Sequence, residues 1–164
     1  MMALSGSRPL PRDDRPQAGD LSGTLLGFDF GTRRLGVAVG ETETRIAHPL
    51  TGIDSEANER RFALVEKLVA DWKPTGFIVG RPRHADGGEH PVAKLAEKFA
   101  RRLAGRFNLP VAFVDETLSS AEAQGQLREQ HARVGARCDI DALAAAVILQ
   151  SYLDEPNAHE RLAS

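Results

Sequence analysis

The sequence predicts an α/β fold, a mixed five-stranded sheet with helices on its faces. Three observations carry this. The chain opens with apolar runs separated by gaps of a few residues, the pattern of an antiparallel meander. From about residue 62 the apolar period becomes helical and then alternates with short buried runs. The order is therefore three strands, then helix, strand, helix, strand and two helices. Right-handed crossovers make the last two strands parallel to the first.

Each element has its own signal. Thr24 to Phe30 is mainly apolar and stops at Gly31, as a buried strand does. Leu35 to Val39 follows after a short gap and ends at Gly40, the spacing of a hairpin. Arg45 to Leu50 makes a third antiparallel strand that ends near Pro49. Phe62, Val65, Leu68, Val69 and Trp72 recur at helical spacing until Pro74. Gly76 to Gly80 is a short buried strand, and Arg81 to Gly88, with Pro82, Gly87 and Gly88, reads as a loop. Val92, Leu95, Ala96, Phe99, Leu103 and Phe107 mark a second amphipathic helix. Leu109-Pro110 leads into a strand over Val111 to Val114. Ser119 opens a third helix, with Glu122 at capping-box spacing. His131 to Cys138 reads as a loop, and Asp139 opens a last helix that runs to about Leu149.

One folded domain is expected over 23–154. Residues 1–22, with Pro9, Pro11 and Pro16 and little apolar content, read as a flexible tail. Residues 155–164 read as a short polar tail. The 164 residues carry 21 Lys and Arg against 23 Asp and Glu, a net charge of -2. That excludes a polycation binding nucleic acid by bulk charge, but not a local basic patch. The single cysteine, Cys138, excludes a disulfide framework and a CxxC zinc site. No apolar run approaches the roughly 20 residues of a membrane span, and the first residues hold no apolar signal segment. A cytoplasmic protein without membrane contact is expected.

Acids interrupt the apolar pattern at informative places. Asp29 lies inside the first strand, between Phe28 and Phe30. Asp115 and Glu116 end the last strand, and Asp139 and Asp141 open the last helix. A carboxylate in a central strand is costly to bury without compensation, and a divalent cation compensates it well. Parallel strands bring Asp29 and Asp115-Glu116 toward one sheet edge, where they can hold Mg²⁺ or Mn²⁺ for phosphodiester hydrolysis. Plainer readings exist for some of them. Asp139 fits an N-cap, Asp141 fits the helix dipole, and Asp115 fits a turn.

Among the basic residues, Arg33 and Arg34 fall just after Asp29, and Arg81, Arg83 and His84 follow the 76–80 strand. These are candidate phosphate contacts. Lys94, Lys98, Arg101, Arg102 and Arg106 lie off the apolar stripe of the second helix, as a solvated face does. His48, His84, His90, His131 and His159 share no ligand spacing. Aromatic residues make up 5%, which argues against a base-stacking platform.

Four stretches together resemble one family. They are Leu26 to Val39 (LGFDFGTRRLGVAV), Ile78 to Pro82 with Asp86-Gly87, Phe113 to Ser120 (FVDETLSS), and Asp141 to Gln150 (DALAAAVILQ). In this order they are similar to the YqgF family, also called RuvX, the pre-16S rRNA nucleases related to RuvC-type Holliday junction resolvases. The resemblance implies an RNase H-like three-layer α/β/α fold with Asp29, Glu116 and Asp141 as the catalytic and metal-binding triad. The pattern of acids itself leaves Asp115 and Asp139 as further possible ligands. It implies a Mg²⁺- or Mn²⁺-dependent nuclease acting in 5′-end maturation of 16S pre-rRNA, with pre-16S rRNA or a pre-ribosomal particle as partner, as monomer or homodimer. Thr32, Arg33, Arg34, Arg81 and Arg83 are then the expected nucleic-acid contacts. Thr117 departs from the family, which usually has Arg there. Three alternatives stay open: a Holliday junction resolvase; an actin-like ATPase, whose phosphate loop Asp29-Phe30-Gly31-Thr32 also resembles but which needs a second, similar domain for which 164 residues leave no room; and a non-catalytic RNA-binding or transcription-associated factor on the same fold.

Overall fold

Successive side chains on a strand point to opposite faces, so each strand of this sheet serves two different layers. The computed structural model describes residues 21–31, 33–54, 57–83, 91–117, 140–156 and 161–162. The strands are β1 (Thr24–Phe30), β2 (Arg34–Glu41), β3 (Ile46–Asp54), β4 (Gly76–Arg83) and β5 (Val111–Thr117), and the helices are α1 (Asn58–Trp72), α2 (Pro91–Phe107) and α3 (Ile140–Asp154). The five-stranded sheet has the order β3-β2-β1-β4-β5. β1, β2 and β3 form the antiparallel meander, and β4 and β5 run parallel to β1, as expected. The helix expected from Ser119 with its Glu122, the loop His131 to Cys138, Asp139, Thr32, and the tail over 1–20 lie outside the described residues.

One face of β1 presents Leu26 and Phe28, which pack with Val37, Val79, Phe113 and the apolar faces of α1 and α2. The other face presents Leu25, which packs with Ala38, Ile78, Ala112, Val114 and α3. This is the α/β/α layering. α1 buries Phe62 and Val65 and stops at Lys73, whose left-handed backbone (φ 50) closes a hydrogen bond from its N–H to the Val69 carbonyl. Trp72, the last residue of α1, is 42% exposed although it falls seven residues after buried Val65. α2 buries Ala93, Ala96, Phe99, Ala100 and Leu103, and Leu95, expected on that stripe, is 44% exposed.

Three boundaries differ from the expectation. β3 runs past Pro49 to Asp54, because β3 is an edge strand and the register shifts opposite Val37 and Ala38. Edges and bulges tolerate a residue without an N–H. β4 continues through Arg81, Pro82 and Arg83, where a loop was expected. Its pairing with β1 ends at Gly80, so Pro82 sits where only β5 flanks β4. At the far edge, Leu162 N–H donates to the Val111 carbonyl (2.8 Å) and Arg161 bridges Ala112. Residues 161–162 thus cover part of the open edge of β5 rather than trailing free.

α3 approaches the sheet closely. A Cβ on Gly27 would lie 2.8 Å from Leu149 Cβ, and one on Gly36 only 1.9 Å from the Asp141 carbonyl oxygen. Gly36→Ala therefore has to push the first turn of α3 off β2. The expected loss is about 2 kcal/mol or more of stability, read by urea denaturation.

Candidate active site

Asp29 shares the strand parity of Leu25 and Gly27, so it stands on the α3 face of β1. Its neighbours across the ladder are Gly36 on β2 and Gly80 on β4. Both lack side chains, which leaves room around the carboxyl. Asp141 comes from the first turn of α3, and the bare Cα of Gly36 lets its backbone settle opposite Asp29. The two acids are thereby brought together from opposite ends of the chain.

Their proximity has an electrostatic signature. Burial first, and the Asp141 carboxylate second, push the Asp29 carboxyl up from 3.8 to about 7. Arg34 Nε lies 2.9 Å from Asp141 Oδ2, with the Arg34 side chain 55% exposed. The approach is ionic, without the alignment of a hydrogen bond. Arg34 thus sits in the site, though against a carboxylate rather than waiting for a phosphate. Arg33 is exposed in the adjoining turn.

Two neighbouring carboxylates, one resisting ionisation, form an oxygen-only donor set that fits a hard divalent cation. Among the described residues no three acidic, His or Cys side chains stand together as a metal site. The third expected acid, Glu116, lies in β5 opposite Pro82 of β4. It is two residues past Val114, which is level with Gly80 and Asp29.

Arg81 and Asp115 are corrected by the same parity. Arg81 follows Val79 onto the face covered by α1 and α2, opposite Asp29. It is 3% exposed, stacks over Phe113 (4.5 Å), and donates from Nε to Asp115 Oδ1 (2.7 Å) and from Nη1 to Glu97 Oε2 (2.9 Å). A guanidinium held by two carboxylates under a helix is not a phosphate contact, and Asp115 is turned away from the Asp29 side. Arg83 closes β4 opposite Thr117. Of the histidines, His48 lies in β3, and the other four, with Cys138, lie outside the described residues.

Sequence reading missed Arg61. It is 2% exposed, lies under the turn after β1, and donates from Nη2 to the Gly31 carbonyl (2.6 Å) while its guanidinium covers Phe30 (5.2 Å). It fixes the turn that carries Asp29 into Arg33 and Arg34. The available signal was its place four residues before Val65, on the buried stripe of α1. Arg61→Met keeps much of the packing but leaves the Gly31 carbonyl without this donor. The expected loss is about 1–3 kcal/mol in chemical denaturation.

The pKa of Asp29 also sets a pH dependence. Its folded value exceeds its unfolded one, so both states hold the proton below about pH 4 and folding carries no penalty. The penalty grows as pH rises from about 4 to about 7, and is complete above. Thermal unfolding without divalent metal is expected to show lower stability at pH 8 than an Asp29→Asn variant, with the difference shrinking by pH 5. A wild-type Tm at pH 8 equal to that of Asp29→Asn contradicts this.

Comparison with known proteins follows from this geometry. The RuvX family model, described as Holliday junction resolvase, matches residues 23–155. A relative from Dechloromonas aromatica, named "Putative pre-16S rRNA nuclease", is 52% identical over 136 residues, covering 82% of this chain and 93% of the relative. One from Methylobacillus flagellatus with the same name is 51% identical over 133 residues, covering 80% and 91%. Among solved structures, RuvC from T. thermophilus in complex with Holliday junction substrate gives a TM-score of 0.56 at 17% identity, covering 85% of this chain and 99% of that one. That likeness concerns the fold. It agrees with the expected RNase H-like architecture.

Proposed function

The chain belongs to the RuvX family, and on that premise we propose that it is a metal-dependent nuclease that matures the 5′ end of the 16S rRNA precursor. The observation that carries the chemistry is the placing of Asp29 in a buried position beside Asp141: burial first and the Asp141 carboxylate second raise its carboxyl to about 7. A site that resists holding two negative charges gains most from a cation. Asp29, Asp141 and Glu116 would hold Mg²⁺ or Mn²⁺. When bound, such an ion supplies Lewis acidity toward a phosphoryl oxygen and neutralises developing charge.

The remaining work falls to the chain. Arg61 holds the Gly31 carbonyl, two residues after Asp29, and so restrains the end of the strand that carries the acid. Arg34 restrains Asp141 and leaves part of its guanidinium open to solvent, where a flanking phosphate can approach. Arg33, beside it and exposed, is a second phosphate contact, and Thr32, its neighbour in sequence, a third. No described helix is long and apolar enough to cross a membrane. Action on a ribosomal precursor would place the protein in the cytoplasm. The nuclease domain is taken to span 23–154.

A second reading, resolution of four-way DNA junctions, is favoured by the description of the family model. One assay separates the two. Purified protein is given labelled RNA carrying the mature 16S 5′ end with its leader, and in parallel a four-way DNA junction, each with Mn²⁺ or Mg²⁺. Metal-dependent RNA cleavage is expected, reduced by more than about 100-fold in Asp29→Asn and Asp141→Asn. Cleavage of the junction alone supports the resolvase reading. Undiminished cleavage by either variant removes that acid from the mechanism.

A further inference from the structure

The face of the sheet opposite Asp29 carries a second feature. A groove of about 410 Å³ runs between α1 and α2, lined by Asn58, Glu59, Phe62, Arg102, Gly105 and Arg106. A smaller hollow of about 90 Å³ adjoins it through the shared Asn58 and Arg102 and reaches Phe30, Leu95 and Lys98. Phe30 is the residue after Asp29. The groove therefore begins at the strand end that bears Asp29, on the other face of the sheet, and leads away along the helices.

Its charge is one-sided. Lys98, Arg102 and Arg106 line the α2 wall, spread over about 12 Å of helix. Against them stands a single acid on the α1 wall, Glu59. Arg106 lies over the Phe62 ring (4.8 Å), which holds its guanidinium at the floor. Lys98 and Arg102 are exposed and have no ion pair among the described residues. The protein as a whole is acidic, so this concentration of cations on one helix is local.

Gly105 is an independent observation. It stands inside α2, where glycine is unfavourable by about 1 kcal/mol relative to alanine. A Cβ there would meet nothing within 4 Å. No packing within the described chain requires glycine at this position, which lines the groove.

We propose that this groove binds the phosphodiester backbone of a single nucleic-acid strand, the part of the substrate that runs beyond the cleaved bond. The cations along the α2 wall face phosphates, as in the positively charged grooves that track the backbone of a single strand. The placement of this strand as substrate rests on the nuclease reading. The binding itself does not, and the test keeps the two apart.

Binding is measured by fluorescence anisotropy in EDTA, so that no step depends on a divalent ion. The probes are fluorescein-labelled oligouridine and oligothymidine of about 12 nucleotides. Variants are Gly105→Glu, which puts a carboxylate into open space, and Lys98→Ala/Arg102→Ala. Lys67→Glu, exposed on α1 away from the groove, controls for net charge. The expected result is a loss of about tenfold or more for both groove variants at about 0.1 M salt, and wild-type binding for the control. The log–log salt slope of the double variant should fall by about 1.4. Comparable losses on RNA and DNA are expected, because the contact is to the backbone. A loss confined to oligouridine means that the ribose is also contacted, with the groove proposal intact. Wild-type-like binding by both groove variants, or no binding of either probe by the wild type, overturns the proposal. Reduced binding in the groove variants with Asp29→Asn still cleaving RNA leaves the groove standing and removes the nuclease reading built on Asp29.

Discussion

The structure depends on how closely α3 can approach β1 and β2. Gly27, Gly36 and Gly40 present almost no bulk on that face, and Leu149, Leu153 and the Asp141 backbone occupy the space their side chains would take. A helix packed on ordinary strand residues stands farther off. Here the close approach brings the first turn of α3 against Gly36, the residue opposite Asp29. Two carboxylates far apart in sequence then share one partly buried volume, and the raised pKa of Asp29 follows from that packing. Stability and chemistry oppose one another at this point, since the acidic pair weakens the fold that holds it.

The opposite face is arranged by buried cations. Arg61 and Arg81 both lie beneath the helices that cover it, each against an aromatic ring, Phe30 and Phe113. Each is held at the C-terminal end of a strand: Arg61 at the turn after β1, Arg81 near the end of β4 where it joins β5 through Asp115. An arginine in such a place needs its donors satisfied, and here carbonyl and carboxylate oxygens satisfy them. The two arginines brace the sheet edge from which the acids project. A site that must place carboxylates accurately benefits from a rigid edge.

Much of this was legible in the sequence because it depends on local pattern. The run Thr24 to Phe30 and its glycine stop mark β1, and the helical recurrence of Phe62 and Val65 marks α1. Asp29 stands out because nothing local explains a carboxylate between two phenylalanines. Boundaries were less legible where edge position overrode local preference, as at Pro49 in β3 and Pro82 in β4. Trp72 and Leu95 match the helical period yet remain exposed, since period alone does not tell how wide the buried stripe is.

The sequence by itself determined the strand and helix order, the parallel placement of β4 and β5 and the suspicion attached to Asp29 and Asp141, because periodicity, crossover handedness and the oddness of a charge in a strand are local or topological properties. Only the tertiary structure decided which basic residues serve which face. Arg34 and Arg81 look alike in sequence, both following a strand near an acid. Alternation sends Arg34 to Asp141 and Arg81 beneath α2, and that sorting depends on the registers of pairing strands and on which helix covers each face. The groove beside α2 was invisible for the same reason. Its walls come from two helices, and an unpaired cation in a linear pattern does not reveal what lies across from it.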